Sequence, residues 1–311
     1  MISCTEFIPY YSELFSYLEE KHGKDEVEQF WEYLFQPAED GIPLINFIKK
    51  EGIRGCWSYW SGTLNEEAAD FTMYLNEKRG FYLETMHRCP SKGRLLALEE
   101  EIGLKPYPDY CLHCDFYRRA IEKVGLKYIF NFQGIERAAC SLLIYDDKVF
   151  DGRVIIDEDT LIMDRRASDN EYFHKDFHTG PNNGVEYLAT KFGVEEVFEF
   201  LKRYTQNVNG RIIEAIKKDG LAAIENMIRD TYRKEKAEDA LCTTLTTDCL
   251  SVKIAYCPGV KHLRATGRTV SSFYCYNTEI VMKTLAEAGG YRFTMESYDE
   301  ETGAAAYRFE K

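Results

Sequence analysis

Two stretches of this chain repeat each other, and the repetition limits its fold more than any single motif does. Tyr17-Leu-Glu-Glu-Lys-His-Gly-Lys-Asp-Glu-Val-Glu-Gln-Phe30 and Tyr187-Leu-Ala-Thr-Lys-Phe-Gly-Val-Glu-Glu-Val-Phe-Glu-Phe200 share Tyr, Leu, Lys, Gly, Glu, Val and Phe at a constant offset of 170. The apolar stripe recurs too: Val27, Phe30, Trp31 and Leu34 against Val197, Phe200, Leu201 and Tyr204. That spacing of i, i+3, i+4, i+7 is one face of an amphipathic helix. Further on, Ile48-Lys-Lys-Glu-Gly52 parallels Ile216-Lys-Lys-Asp-Gly220, and Cys89-Pro90 parallels Cys257-Pro258. Tyr110-Cys111 then parallels Tyr274-Cys275, and each is followed by a helix pattern that stops at a glycine, Gly125 or Gly289.

Each unit therefore reads as helices, a strand ending at Cys-Pro, a Tyr-Cys loop, a helix and a final pair of strands. In the second unit Leu250, Val252, Ile254 and Tyr256 alternate as a strand. Tyr291, Phe293 and Met295 face Ala305, Tyr307 and Phe309 across a turn at Asp299–Gly303. The first unit offers Tyr128, Phe130 and Phe132, then Ser141–Tyr145. The expected class is α+β: two tandem pseudo-symmetric units, each with N-terminal helices and a small antiparallel sheet with a helix, related as in a homodimer. The expected boundaries are 1–150 for a Cys-rich first unit, 151–170 for a connector with a turn at Asp151-Gly152, and 171–311 for the second unit. A length of 311 residues suits two domains.

The net charge of −13 and the lack of a Lys/Arg stripe argue against nucleic acid and against an anionic membrane surface. Met1-Ile-Ser-Cys-Thr-Glu-Phe7 has no basic n-region, and no apolar run approaches a membrane span, so a cytoplasmic protein is expected. Homo-oligomerisation stays open. In that compartment the ten cysteines are expected as thiols, metal ligands or small buried hydrophobes rather than disulfides.

Chemistry concentrates in two clusters. His174-Lys-Asp-Phe-His178 holds two imidazoles and a carboxylate within five residues. On an extended segment, which the following Thr-Gly-Pro-Asn-Asn-Gly favours, His174, Asp176 and His178 share one face, a ligand set for zinc, manganese or iron. A surface loop of hydrogen-bonded histidines is the alternative. The repeat places Cys4 and Ile8 opposite these histidines, so one asymmetric site per chain is expected. The second cluster is Cys89, Cys111, His113 and Cys114, with Cys140 further on. It is a candidate zinc or iron–sulfur set, and Cys111 and Cys114 also precede a helix whose N-terminus favours thiolate. Cys89 and Cys257 recur in both units as nucleophile or ligand candidates, or as buried core thiols. Gly55-Cys-Trp-Ser-Tyr-Trp60 reads as core rather than pocket, and Lys261-His262-Leu-Arg264 as a solvated helix face.

In its Cys257-Pro258 and Cys275, its Cys89-Pro90 and Cys111, and its terminal strand pair, the chain resembles the L-2-amino-thiazoline-4-carboxylic acid hydrolase-like family. Two closer runs resemble uncharacterised bacterial proteins: His174–His178 with Cys257-Pro258 and Tyr298–Gly303, and Cys89–Gly93 with Tyr110–Cys114. The resemblance implies opening of a small cyclic amidine or thioether. No phosphate-binding glycine loop, dinucleotide fingerprint or Gly-x-Ser-x-Gly elbow is present. The expected function is a metal-dependent enzyme on a small polar molecule: a hydrolase of a C–N or C–S bond, or a lyase or isomerase. Cys257, Cys89 and Asp176 are its candidate catalytic residues. The alternative is a non-catalytic ligand- or metal-binding protein.

Overall fold

The repeated apolar stripes become helices with one buried face. Val197, Phe200, Leu201 and Tyr204 are all enclosed, as are Val27, Phe30 and Trp31. Each such side chain contributes roughly 1.5–3 kcal/mol relative to an exposed one. The computed structural model describes residues 2–35 and 43–311. In chain order they form α1 (Phe7–His22), α2 (Lys24–Phe35), α3 (Pro43–Glu51), α4 (Arg54–Glu66), β1 (Asp70–Asn76), β2 (Phe81–Arg88), α5 (Pro90–Ile102), α6 (Tyr117–Lys123), β3 (Lys127–Asn131), β4 (Cys140–Tyr145) and β5 (Leu161–Arg165). Then come α7 (Thr179–Phe192), α8 (Val194–Val208), α9 (Gly210–Asp219), α10 (Leu221–Lys234), β6 (Leu241–Leu245), β7 (Cys249–Ile254), α11 (Pro258–Ala265), α12 (Tyr276–Ala288), β8 (Arg292–Tyr298) and β9 (Ala305–Glu310). The class is α+β, and no helix among the described residues is long and apolar enough to cross a membrane.

The strands make two antiparallel sheets, ordered β3-β4-β2-β1-β5 and β6-β7-β9-β8. Read from its other edge, the second runs β8-β9-β7-β6, the order of the first without β5. Strand β5 comes from the stretch expected to be a connector. It pairs with β1 from Phe71↔Arg165 to Leu75↔Leu161. The Cys-Pro steps fall where expected on the first sheet, with β2 ending at Arg88 immediately before Cys89.

Compact units do not follow chain order. One comprises the chain up to Tyr17, Glu101–Leu104 and Lys175–Lys311; the other comprises Leu18–Glu100 and Lys105–His174. We call them the C-terminal and central units. The division departs from the expected 1–150 and 171–311 because the start of α1 packs on α7. Two glycines on one face of α7 make room for it. A Cβ at Gly180 would lie 2.3 Å from the Phe7 ring, and one at Gly184 would lie 2.6 Å from the Tyr10 hydroxyl. Phe177 stacks on Phe7 with centroids 4.2 Å apart.

The central unit keeps its core on one face of the five-stranded sheet. Phe71, Met73, Tyr82, Leu142 and Ile144 meet Leu44 and Ile48 of α3 and Cys56, Trp60 and Leu64 of α4. The Trp-rich stretch is thus core, with Trp60 stacked on Tyr82 at 5.4 Å.

Candidate functional site

Glu235 sits at the C-cap of α10. The next residue, Lys236, takes a left-handed φ of 53° and turns the chain away, leaving the carboxylate 1% exposed. Three donors meet it. Ser3 Oγ and the Cys4 amide each donate to Oε1 over 2.7 Å, and His178 Nε2 lies 3.0 Å from Oε2. Burial pushes the carboxyl up, but the bond and charge of His178, the Cys4 amide and the Ser3 hydroxyl outweigh it and hold Glu235 at about 2. An ionised carboxylate only accepts, so His178 Nε2 carries the proton. The Cys4 thiol is pushed far up by burial and then by the charge of Glu235.

These side chains come from three distant segments: the 3-10 turn Cys4–Glu6 before α1, the 3-10 turn Lys175–His178 before α7, and the end of α10. Ligand atoms of Cys4, His178 and Glu235 all lie within 4.8 Å of one another, the one such group of three or more found among the described residues.

A second set of groups lies alongside. Cys257 is the N-cap of α11, and the nearby Gly259 and Val260 amides favour its thiolate. Burial nonetheless pushes the thiol up. After burial, Cys257 is the next influence raising the phenols of Tyr274, Tyr298 and Tyr307, and likewise Tyr232. His178 Nδ1 is enclosed and has no hydrogen-bond partner among the described residues. It faces the first turn of α11, where a Cβ on Gly259 would lie 2.9 Å from Nδ1 and 2.2 Å from the Tyr274 hydroxyl.

The histidine–aspartate cluster does not share one face. Lys175–His178 is a 3-10 turn and not an extended run, and its three-residue period fans Asp176 and His178 apart. His174 Nδ1 pairs with Glu66 Oε2 at 2.6 Å, within the central unit. Asp176 accepts from His262 Nε2 at 2.6 Å and from Arg268 Nη2 at 3.2 Å. His262, placed by sequence on a solvated helix face, is therefore a partner of Asp176. Only His178 reaches the buried group.

The Cys-rich set is near itself without converging. Cys89 precedes α5, and its sulfur accepts the Lys92 amide at 3.5 Å. Cys111, His113 and Cys114 lie on the 3-10 turn Tyr110–Phe116, with His113 Nε2 3.7 Å from Cys114 Sγ. Burial pushes these thiols up, with the charge of Cys111 adding to it at Cys89, Cys114 and Cys140, while burial takes His113 down to about 4. No three of their ligand atoms lie within 4.8 Å of one another. All ten cysteines are described, and none forms a disulfide.

Cys4 and Glu235 were not singled out as ligands from sequence. Signals for both exist in the repeat: Cys4 stands opposite His174, and Glu235 matches Glu67 at the offset that relates Cys257 to Cys89. Glu67 is likewise a helix C-cap, followed by Ala68 at a φ of 47°. Compared with known proteins, the chain matches no family model, no curated protein and no solved structure.

Proposed function

We propose that this chain is a metal-dependent enzyme acting on a small polar molecule, with its ion held by Cys4, His178 and Glu235. The observation that carries this reading is the convergence of one sulfur, one imidazole nitrogen and one carboxylate oxygen within 4.8 Å. The donor chemistry fits. Glu235 is already ionised, and a sulfur–nitrogen–oxygen set suits zinc better than manganese. Three protein ligands also match the count of hydrolytic zinc sites, which keep one position for water or substrate. Such an ion would polarise a carbonyl or amidine, or acidify a bound water. The chain's own part is positional: Ser3 Oγ and the Cys4 amide fix Glu235 from behind, and Cys4 gives up its thiol proton when the ion enters. The reaction class we assign is hydrolysis of a C–N or C–S bond in a small cyclic substrate, in line with the family resemblance. The finer architectural reading belongs with it: the two units derive from one duplicated unit, supported by the matching strand order and by Glu67 and Glu235 at equivalent caps.

One observation favours a second reading. The partnerless His178 Nδ1 faces the turn that Cys257 caps, and Glu235 orients the ring from its other nitrogen. A buried thiol at the N-cap of the helix turn that a carboxylate-oriented imidazole faces suits nucleophilic cysteine catalysis, with no metal required.

Metal analysis of protein purified without chelator separates the two. About one zinc per chain, lost in Cys4→Ser and Glu235→Gln and kept in Cys257→Ser, supports the first. No co-purifying metal, and no binding or thermal shift with added zinc, manganese or iron(II), sinks it. Turnover of a cyclic amidine by metal-free protein, abolished by Cys257→Ser, would establish the second. Bound metal without turnover would leave a metal-binding protein.

A further inference from the structure

The central unit carries a cleft that the buried site does not use. It has a volume of about 450 Å3 and lies over β2, β4 and the loop between β3 and β4, lined by Thr85, His87, Gln133, Arg137, Cys140 and Ser141. That size is in the range of small-molecule pockets. Its polar groups converge from three segments, and two of them are fixed.

The first is His87. Its Nε2 lies 2.7 Å from Thr72 Oγ1, and Thr72 Oγ1 donates to Asp164 Oδ1, also over 2.7 Å. Asp164 is held below the ordinary carboxylate range by its bond to Arg166 and then by Thr72, so it accepts only. Thr72 has one hydroxyl proton and spends it on Asp164; His87 Nε2 must therefore donate to Thr72. This leaves Nδ1 outside the relay, on a ring whose orientation is set by a carboxylate two hydrogen bonds away. The relay joins β5, β1 and β2, so it exists only because residues 161–165 enter the sheet.

The second is the loop that carries Arg137. Gly134 and Ala138 both take left-handed backbone, at φ of 98° and 62°. Alanine pays for that conformation, and such strain persists where the surroundings hold it. Here they do: Ala138 is 2% exposed, its carbonyl accepts the Cys89 amide at 2.6 Å, and the Ala139 amide bonds to Gly134 O at 2.9 Å. The guanidinium of Arg137 is 78% exposed, and its ion pair in the structure is with the neighbouring Glu136, at 3.2 Å. A rigid loop thus presents a solvent-facing cation at a cleft whose floor offers an oriented imidazole, two hydroxyls and a side-chain amide.

We propose that this cleft is a second ligand site, for a small anionic molecule, with Arg137 meeting the anionic group and His87, Gln133 and Ser141 the polar remainder. It stands apart from the metal reading, since none of its residues belongs to the Cys4–His178–Glu235 group.

Cys140 lines the cleft and reports on it. The test is site-resolved alkylation by iodoacetate and by neutral iodoacetamide, quantified by peptide mass spectrometry, with and without citrate as the probe anion. Arg137→Gln is expected to slow iodoacetate at Cys140 by about fivefold while leaving iodoacetamide unchanged. Citrate is expected to protect Cys140 in the unmodified protein and not in Arg137→Gln. Equal rate ratios in the two proteins, or no protection by citrate, overturn the proposal. Should Cys140 react with neither reagent, calorimetric titration with citrate decides: heat in the unmodified protein that vanishes in Arg137→Gln supports it, and the same result in both overturns it.

Discussion

His178 donates through Nε2 to Glu235 Oε2 across 3.0 Å, and both side chains are closed off from solvent. Removing one partner of such a pair leaves the other buried and uncompensated, which costs about 3–5 kcal/mol. The acid dependence follows with its sign. Glu235 is held at about 2, below its ordinary 4.5. Its contribution is therefore complete above about pH 4.5 and is lost as pH falls toward 2. Thermal melts across pH 7 to 2 should show Glu235→Gln less stable at neutral pH and flatter through the acid range. Parallel curves for the two proteins would remove Glu235 as the source.

Zinc should stabilise the folded chain by mass action. At a free concentration one hundred times its Kd the gain is about 2.7 kcal/mol. Cys4→Ser should erase most of that gain, whereas Cys89→Ser and Cys111→Ser should keep it, because their ligand atoms do not converge with two others. Melting temperature against zinc concentration in the four proteins reads this directly.

Gly259 tests the space beside His178. A methyl there would lie 2.2 Å from the Tyr274 hydroxyl and 2.9 Å from His178 Nδ1. Both rings are buried, so the strain cannot be released into solvent. Gly259→Ala is expected to cost about 1–3 kcal/mol and to weaken zinc binding at least about tenfold by moving His178. Undiminished affinity in a folded variant would mean that His178 is not a ligand.

The central unit should respond at the opposite end of the pH scale. Glu84 is 4% exposed, and burial lifts its carboxyl to about 7 although the Tyr82 hydroxyl donates to it over 2.9 Å. A raised acid favours folding below its unfolded value of 4.5, and that advantage fades as pH rises through 7. Glu84→Gln should therefore gain stability relative to the unmodified protein between pH 6 and 9. Urea midpoints at pH 5 and pH 9 check it. A variant that loses as much at pH 9 as at pH 5 would contradict the assignment.

What could be read from sequence was what local chemistry controls. The stripe Val197, Phe200, Leu201, Tyr204 is a property of eight consecutive residues, and it forms the helix face it announces. The alternation of Ala305, Tyr307 and Phe309 likewise puts those residues inside on β9. Strand β5 was missed because it has no such pattern: Leu161 and Ile162 are 41% and 54% exposed, and its pairing depends on β1, some ninety residues earlier. The site failed to read for the same reason. Glu235 meets Ser3 and Cys4 across more than two hundred residues, and no spacing rule spans that distance. Within the one short motif that did attract attention, a 3-10 turn replaced an extended run, and that sent Asp176 to His262 while His178 went to Glu235.

The start of α1 belongs with Lys175–Lys311, and this has a consequence during synthesis. Phe7 and Tyr10 leave the ribosome long before Phe177, Gly180 and Gly184, the residues that receive them. At about 5–20 residues per second the wait is on the order of ten seconds. For that time the face of α1 that carries Phe7 and Tyr10 lacks the α7 residues that receive it, while the central unit is synthesised. A chaperone that shields apolar helices would find its binding site on α1, and the last events of folding would close the Glu235 site.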